Sequence, residues 1–449
     1  MRAALRAAET MTAVDPTTAT LRAQLRESLK LPSHRLSGAG HQAIVWHSGI
    51  LAKFIAASTL ATTHCEAASW VHFVSDQDAN DPFRMDLPVL DSAGTTRRTS
   101  MRLAHPEPGI APHAVAAARA AQSSLECDGS TLASRAARDA LARVCSEIDA
   151  TRDAVHAGVQ LAQVMQRCAA RWVSPPCTTV TSDALLNCTG AREVLERILR
   201  DPVANANAFN AALRMDPRAA QPLHLAGEST EVPLWGVRND GVRERIGAAE
   251  ARRRLGQGRL LLPRAFLASG LMRIICDRFV HGSGGARYER VGDAWWKEFL
   301  GVQLPSFDVV TATLYPDPAT LGCTDASVAP DAISFRRAWW DPTRCESAQQ
   351  PRGWIEPARA ALLQRIDAAP RRSAARRAAY RALTEHIECL RAMHRPRLAS
   401  LSDRESRNRI SRAQRALCLD RTWPFVLQSN DAIDTMAKPI IDRFTAQMQ

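Results

Sequence analysis

Ser37-Gly38-Ala39-Gly40-His41-Gln42, then His47-Ser48-Gly49 and Lys53, then Trp70-Val71-His72-Phe73-Val74 closing on Ser75-Asp76-Gln77-Asp78: the fold is decided by how this stretch is read. Glycines ahead of a helix let the backbone approach a ligand, and the free N–H groups of the helix start favour an anion. Gln42, Ser48, His41, His47 and Lys53 add directed donors. The segment from Ser37 to Lys53 therefore reads as an anion-binding turn opening a small-residue helix around Leu51 to Ala61. A flexible turn with satisfied histidines uses the same residues. The spacing fits neither a Walker loop nor G-x-G-x-x-G.

The run from Trp70 to Val74 is built of strand-forming residues and stops at Asp76 and Asp78. A glycine turn, a helix and a strand ending in acids follow the order of an α/β unit. In open α/β sheets ligands gather outside the carboxyl ends of strands, where two acids orient an amine, a hydroxyl or Mg²⁺. Capping of the next helix is the competing use of such acids.

A second glycine cluster, His281-Gly282-Ser283-Gly284-Gly285-Ala286-Arg287, follows a helix expected over Ala265 to Phe279. Three glycines exceed what one C-cap needs, and Arg287 offers a cation for a carboxylate or phosphate. A helix over Tyr288 to Leu300 and a strand over Phe307 to Tyr315 complete this region.

Elsewhere the periodicity predicts a helix over residues 15–30 capped by Thr18 or Thr20, and a hairpin over 86–104 with Arg97 and Arg98 at its turn. It predicts a helical insertion around 111–215, interrupted near Asp128-Gly129, and a strand at Val232 to Trp235 leading into Asn239-Asp240-Gly241. Pro357 to Phe425 reads as a helical hairpin broken near Pro396. Its seam is Leu383, Ile387 and Leu390 with Ile410 and Leu417.

With 449 residues the chain exceeds one compact core, and 46% hydrophobic with 23% charged residues is ordinary globular usage. No apolar run is long enough to span a bilayer and none resembles a signal peptide, so a cytoplasmic location is expected. Met11 is an alternative start, since the residues before it carry no structural pattern. Eleven scattered cysteines without a C-x-x-C pair argue for reduced, mostly buried thiols and no structural metal. The +12 net charge invites nucleic acid as a partner. Because the arginines concentrate in Arg371 to Arg421 and aromatics are sparse, a solvated helix face is preferred over nucleic-acid binding. G-x-S-x-G, H-E-x-x-H and the kinase motifs are all missing.

Taken in order, these segments resemble the bacillithiol-synthesis cysteine-adding enzymes, the BshC family. That family has a Thr-Gly-Gln-Gln turn followed by Gly-Gly-Pro and a helix reaching a Lys. Ser37 and Gly40-His41-Gln42, then His47-Ser48-Gly49 and Lys53, echo it. Its Glu-Asp-His-Asp strand end is similar to Ser75-Asp76-Gln77-Asp78, and its Gly-Gly-Pro-Gly-Glu segment is similar in place to Gly282-Ser283-Gly284-Gly285. The run Phe299 to Pro305, ending in Thr311 to Leu314, resembles the family's following strand. His41 stands for a Gln, Gln77 for a His, the proline after Gly49 is missing, and the later turn lacks the family's Glu.

The resemblance implies a Rossmann-like, nucleotidylyltransferase-type α/β core over residues 31–330, preceded by an N-terminal helix (1–30) and followed by a C-terminal helical hairpin or coiled coil (331–449). It implies a ligase or transferase joining a cysteine-like amino acid to an amine acceptor, with ATP or another nucleotide as cofactor. His41, His47, Asp76 and Asp78 would carry catalysis. Gly38, Gly40, Gln42, Ser48, Gly49 and Lys53 would hold the cofactor. Gly282, Ser283, Gly284, Gly285 and Arg287 would hold a small-molecule substrate. The hairpin suggests a homodimer, and the rival readings are a noncatalytic helical interaction protein and nucleic-acid binding through the hairpin arginines.

Overall fold

The computed structural model describes residues 2–6, 15–62, 69–78, 80–104, 112–120, 131–323, 335–345 and 355–446. The expected break near Asp128-Gly129 lies outside them. Arg2–Arg6 forms strand β1, within the segment that the sequence left without structure. Helix α1 spans Pro16–Ser28, and its cap is Asp15, whose carboxylate accepts from the Thr18 N–H. Neither Thr18 nor Thr20 caps it.

The decisive stretch folds differently from its reading. Ser37–Gln42 is a strand, β2, and the helix α2 begins only at Ser48 and runs to Thr62. Gly38 and Gly40 are thus sheet residues. The reason is tertiary: β2 lies between two bulky neighbours, and a Cβ on Gly38 would meet Cys276 Sγ at 2.5 Å, one on Gly40 the Phe73 ring at 3.1 Å.

Strand β3 (Trp70–Ser75) ends where expected. The hairpin β4 (Arg84–Leu90) and β5 (Thr96–Arg102) turns over Asp91 to Thr95, so Arg97 and Arg98 sit inside β5. A short β6 (Thr131–Leu132) joins it. Helices α3 (Arg135–Ala150) and α4 (Ala157–Ala169) lead to β7 (Thr178–Val180) and to α5 (Ser182–Leu186), α6 (Thr189–Arg200) and α7 (Pro202–Leu213). A three-stranded antiparallel sheet follows, made of β8 (Glu231–Val237), β9 (Arg243–Gly247) and, beyond α8 (Ala248–Gly256), β10 (Leu261–Pro263).

The second informative region also departs from its reading. Helix α9 stops at Ile275 (Ala265–Ile275), and Arg278–His281 is a strand, β11. The glycine cluster therefore opens a helix, α10 (Ser283–Trp295), instead of closing one. Strand β12 spans Phe307–Thr313.

The main sheet has the order β1-β12-β11-β2-β3-β7. β1 pairs antiparallel with β12, and the other five strands are mutually parallel. Among the five, chain order runs 5-4-1-2-3 across the sheet, so the winding direction reverses between β2 and β11. Helices cover both faces. Phe54 of α2 packs on Trp70 and His72 of β3, while the intervening Val71 and Phe73 join the core shared with α1, α5 to α7, α9 and α10. A parallel sheet buried on both sides is the expected consequence of such crossovers.

Contacts divide the chain into residues 1–322 with 420–449, and residues 323–419. The second unit contains α11 (Phe335–Trp340), α12 (Pro357–Ala368), α13 (Ala374–Met393) and α14 (Arg395–Cys418). The break near Pro396 falls at His394, but α13 packs chiefly on α12, and α14 buries Leu398 and Leu401 on Ala338 of α11. Ile410 of the expected seam is exposed. The last helix, α15 (Asn430–Ala446), packs along α2 in the first unit, so the C-terminal segment is not part of the hairpin. Among the described residues no helix is long and apolar enough to cross a membrane.

Candidate active site

Strand β2 and strand β11 end side by side at the point where the sheet reverses its winding. A crevice must form there, because the helices that follow the two strands leave to opposite faces. A cleft of about 500 Å³ occupies the place. Gly40, His41, Gln42, His47, Gly49, Lys53, Asp78 and Gly282 to Gly285 all line it. Gly38, Ser48, Asp76 and Arg287 do not.

Each exclusion has a cause. Gly38 is enclosed by its neighbours in the sheet. The Ser48 hydroxyl accepts from the Leu314 N–H, tying the end of β12 to α2. Asp76 is wholly buried, and its carboxylate accepts from the Ser182 N–H at the start of α5 while His156 lies 3.4 Å away. It caps a helix, though a distant one. Arg287 is exposed on the outer side of α10, 3.5 Å from Asp216. Asp76, His156 and Asp183 are of metal-ligating types and lie close together. Asp76 accepts from the Ser182 N–H and His156 Nδ1 from the Val159 N–H, so both already serve the local fold.

The floor of the cleft is made by α2. Lys53 is buried, and its Nζ donates to the Gly40 carbonyl oxygen. Burial pulls its amine down to about 7. His47 Nδ1 accepts from the Gly49 N–H at 3.0 Å, which leaves the proton on Nε2 as a donor. Burial, then the nearby Arg421 and Lys53, hold His47 at about 4, so it donates as a neutral ring near pH 7. His41 is likewise driven well below its ordinary value, first by burial and then by Lys53, His47 and His72. Gly49 is needed for close approach, since a Cβ would meet the Ala312 carbonyl oxygen at 3.0 Å.

One wall is the first turn of α10. Its cap residue is Gly282, no side chain caps it, and the first helical bond runs from the Ala286 N–H to the Gly282 carbonyl. The N–H groups of Ser283, Gly284 and Gly285 precede that bond, and the helix dipole adds partial positive charge there. Asp78 is not a free carboxylate: Gln42 donates to one oxygen at 2.7 Å and Arg243 to the other at 3.0 Å.

Several lining groups were given no role by the sequence reading. His281, at the end of β11, places Nε2 at 3.1 Å from Glu289, and Glu289 also meets Arg273 at 2.8 Å. Burial alone would raise the Glu289 carboxyl, but His281, Arg273 and Ser269 hold it at about 2. Ser269, Tyr288 and Thr311 complete the wall. Arg421 reaches the cleft because the C-terminal segment is hydrogen-bonded back, Phe425 N–H to the Trp46 carbonyl at 2.8 Å, just before α2. The available signal was local: Arg278-Phe279-Val280-His281 ahead of Gly-Ser-Gly-Gly is a strand–turn–helix pattern. Nothing local announces Arg421.

Chemically, the cleft joins the Arg421 cation, the Lys53 amine, backbone donors and the uncharged imidazoles of His41 and His47, a set suited to an anion and to proton transfer. Comparison with known proteins gives no match, neither to a family model nor to a curated sequence.

Proposed function

We propose that the protein is a small-molecule ligase or transferase whose cleft binds a phosphate or carboxylate group, and that it joins an amino acid such as cysteine to an amine acceptor, as the resemblance to the BshC family implies. The observation that carries this reading is the convergence of Gly40 to Lys53, Asp78 and Gly282 to Gly285, far apart in sequence, on one cleft at the winding reversal. The strand order is compatible with a Rossmann-like core, and a nucleotidylyltransferase-type assignment belongs to the same proposal.

Within it, ATP or another nucleotide is the cofactor, supplying activation of the acyl group. Lys53, Arg421 and the first-turn N–H groups of α10 would hold its phosphates. The cleft volume and its cations fit such a group. His47, a neutral donor, would face the oxyanion charge that develops as the acceptor nitrogen bonds to the acyl carbon and the activating phosphate leaves that carbon, and the His281–Glu289 pair lines the same cleft. Gln42 and Arg243 fix Asp78 as a wall that an acceptor ammonium can approach.

Calorimetry of the full chain with ATP, cysteine and glucosaminyl-malate, together with mass-spectrometric detection of a cysteine amide, tests the proposal. Binding of at least one ligand and cysteine-dependent product are expected. No product and no binding of any of the three would sink it.

A second reading, a noncatalytic interaction protein, is favoured by one observation in the 323–419 unit. Trp339 and Trp340 are exposed there, with the Arg391 guanidinium 4.2 and 5.4 Å from their rings. Self-association through that surface predicts a concentration-dependent size that W339A/W340A abolishes.

A further inference from the structure

The chain has 54 arginines and four lysines: Lys30, Lys53, Lys297 and Lys438. One of the four is at the bottom of the cleft. A guanidinium stays charged at every pH a protein meets, whereas an ammonium gives up its proton when desolvated. The other three lysines are exposed, and Lys53 is the one whose charge burial makes removable.

The surroundings of Lys53 agree. It is 6% exposed, Nζ donates to the Gly40 carbonyl, and among the described residues no ion pair involves it. Asp78, the carboxylate lining the same cleft, is already held by Gln42 and Arg243. A buried charge without a counter-charge is costly, and the neutral amine avoids that cost while the cleft is empty. An anion entering the cleft supplies the missing counter-charge.

We infer that the cleft takes up a phosphate group together with one proton, which ends on Lys53 Nζ. Phosphate is favoured over carboxylate because the donors come from three separate elements, Lys53 of α2, the first turn of α10 and Arg421 of the C-terminal segment, and a phosphate offers three or four oxygens to such a set where a carboxylate offers two. The inference rests on the reading of the cleft as an anion site and assigns the group that titrates with binding.

Burial brings the amine to about 7, within reach of such linkage. His281 apart, the other groups around it do not compete. His41 on β2, His47 before α2 and His72 on β3 all lie below their ordinary values, chiefly through burial, and stay neutral near pH 7. Tyr288 on α10 is pushed up to about 12 by burial, and His281 on β11 is paired with Glu289, so K53R and K53M are needed to assign the proton to Lys53. Asp308 of β12 is paired with Arg278, and on α15 Lys438 is paired with Asp442. Arg421 is a constant cation. No other residue of α2 ionises.

The test is calorimetric titration of the full chain with inorganic phosphate and, separately, with ATP, at pH 8 in two buffers of different ionisation enthalpy. The expected result is a heat that differs between buffers by close to one proton, and an affinity that falls about tenfold per pH unit above pH 7. Tighter ATP binding identifies a nucleotide as the source of the phosphate, and equal affinity identifies free phosphate. K53R, which carries a permanent charge, should lose the buffer dependence, and K53M should lose both it and most of the affinity. Equal heats in the two buffers with binding intact would overturn the inference and leave the anion site standing. No binding of either ligand at any pH would remove the anion site itself.

Discussion

His281 Nε2 lies 3.1 Å from a Glu289 oxygen, and the other Glu289 oxygen lies 2.8 Å from Arg273 Nη1, all three side chains being nearly sealed from water. The carboxylate is thereby fixed between an imidazole that faces the cleft and a guanidinium that also bonds the Pro305 carbonyl and Asp293. Glu289 is the joint between the core and the site.

Replacing Glu289 by Gln leaves Arg273 with the half-exposed Asp293 as its carboxylate partner. A loss of about 1–3 kcal/mol in urea unfolding is expected. Because the Glu289 carboxyl is depressed from 4.5 to about 2, its contribution is complete above pH 4.5 and is lost as pH falls toward 2. E289Q should flatten the stability profile in that window.

Gly285 and Gly284 predict opposite outcomes for the same substitution. A Cβ at 285 would stand 2.6 Å from His281 Nδ1, whereas none would meet anything within 4 Å at 284. G285A should destabilise by about 1–3 kcal/mol through displacement of the imidazole. G284A should be neutral or stabilise by up to about 1 kcal/mol, because it restricts the unfolded chain. Thermal unfolding of the two variants decides.

Lys53 is a stability cost as well as a binding group. Its pKa falls from 10.5 to about 7 on folding, so between those values the unfolded chain binds more protons and stability rises with pH. Below pH 7 the penalty is complete, up to about 5 kcal/mol. K53M should therefore gain most over the parent at pH 6, with an advantage that shrinks above pH 7 and vanishes beyond pH 10.5. Urea midpoints at pH 6, 8 and 10.5 measure it, and a gain independent of pH would contradict the assignment.

His72 is the acid-sensitive element on the other side of Lys53. It packs edge-on against Phe54 at 4.5 Å, and the Gln166 side-chain amide donates to its Nδ1 at 2.8 Å. Burial holds it at about 3. The unfolded chain takes up this proton below pH 6.5, so stability declines from pH 6.5 down to about 3, by up to about 5 kcal/mol. H72F, which leaves Gln166 near Thr179, should remove that part of the slope.

Arg421 is the only lining cation supplied by the C-terminal segment. R421A should weaken phosphate binding several-fold, with a smaller loss at high salt because the group is exposed. It should also let His47 rise from about 4 toward its ordinary value, since Arg421 follows burial among the causes of that depression. A histidine NMR titration reads the second effect.

Much of the fold could be read from local pattern. The apolar run at Trp70 to Val74, the strand at Val232 to Trp235 and helices within the 111–215 insertion agree with their local reading. The errors share one cause. Ser37–Gln42 reads as a turn and Arg278–Phe279 as the end of a helix because glycines and a short apolar tail look non-strand in isolation, yet both belong to strands that pair in parallel with two neighbours. Pairing between strands about 240 residues apart leaves no trace in an eleven-residue window.

The candidate site divides along the same line. The residue types at Gly40 to Lys53, Asp78 and Gly282 to Gly285 were chemically legible, since glycine, imidazole, amine and carboxylate declare their capacities wherever they stand. Asp76 was indistinguishable in sequence from Asp78, but both lie in the turn that follows β3, and that turn carries Asp76 to the Ser182 N–H of α5 while Asp78 lines the cleft. Arg287 and Arg421 exchanged roles for a comparable reason: helical rotation carries Arg287 outward, and the return of the chain along α2 brings Arg421 in.

By itself, then, the amino-acid sequence determined an α/β chain with a late arginine-rich helical segment and the chemical kinds of group available to a site, because composition and short-range periodicity are local properties. Only the tertiary structure decided which of those groups meet, which are neutral and which serve the core, because burial, strand order and the return of the C-terminus depend on contacts between residues hundreds of positions apart.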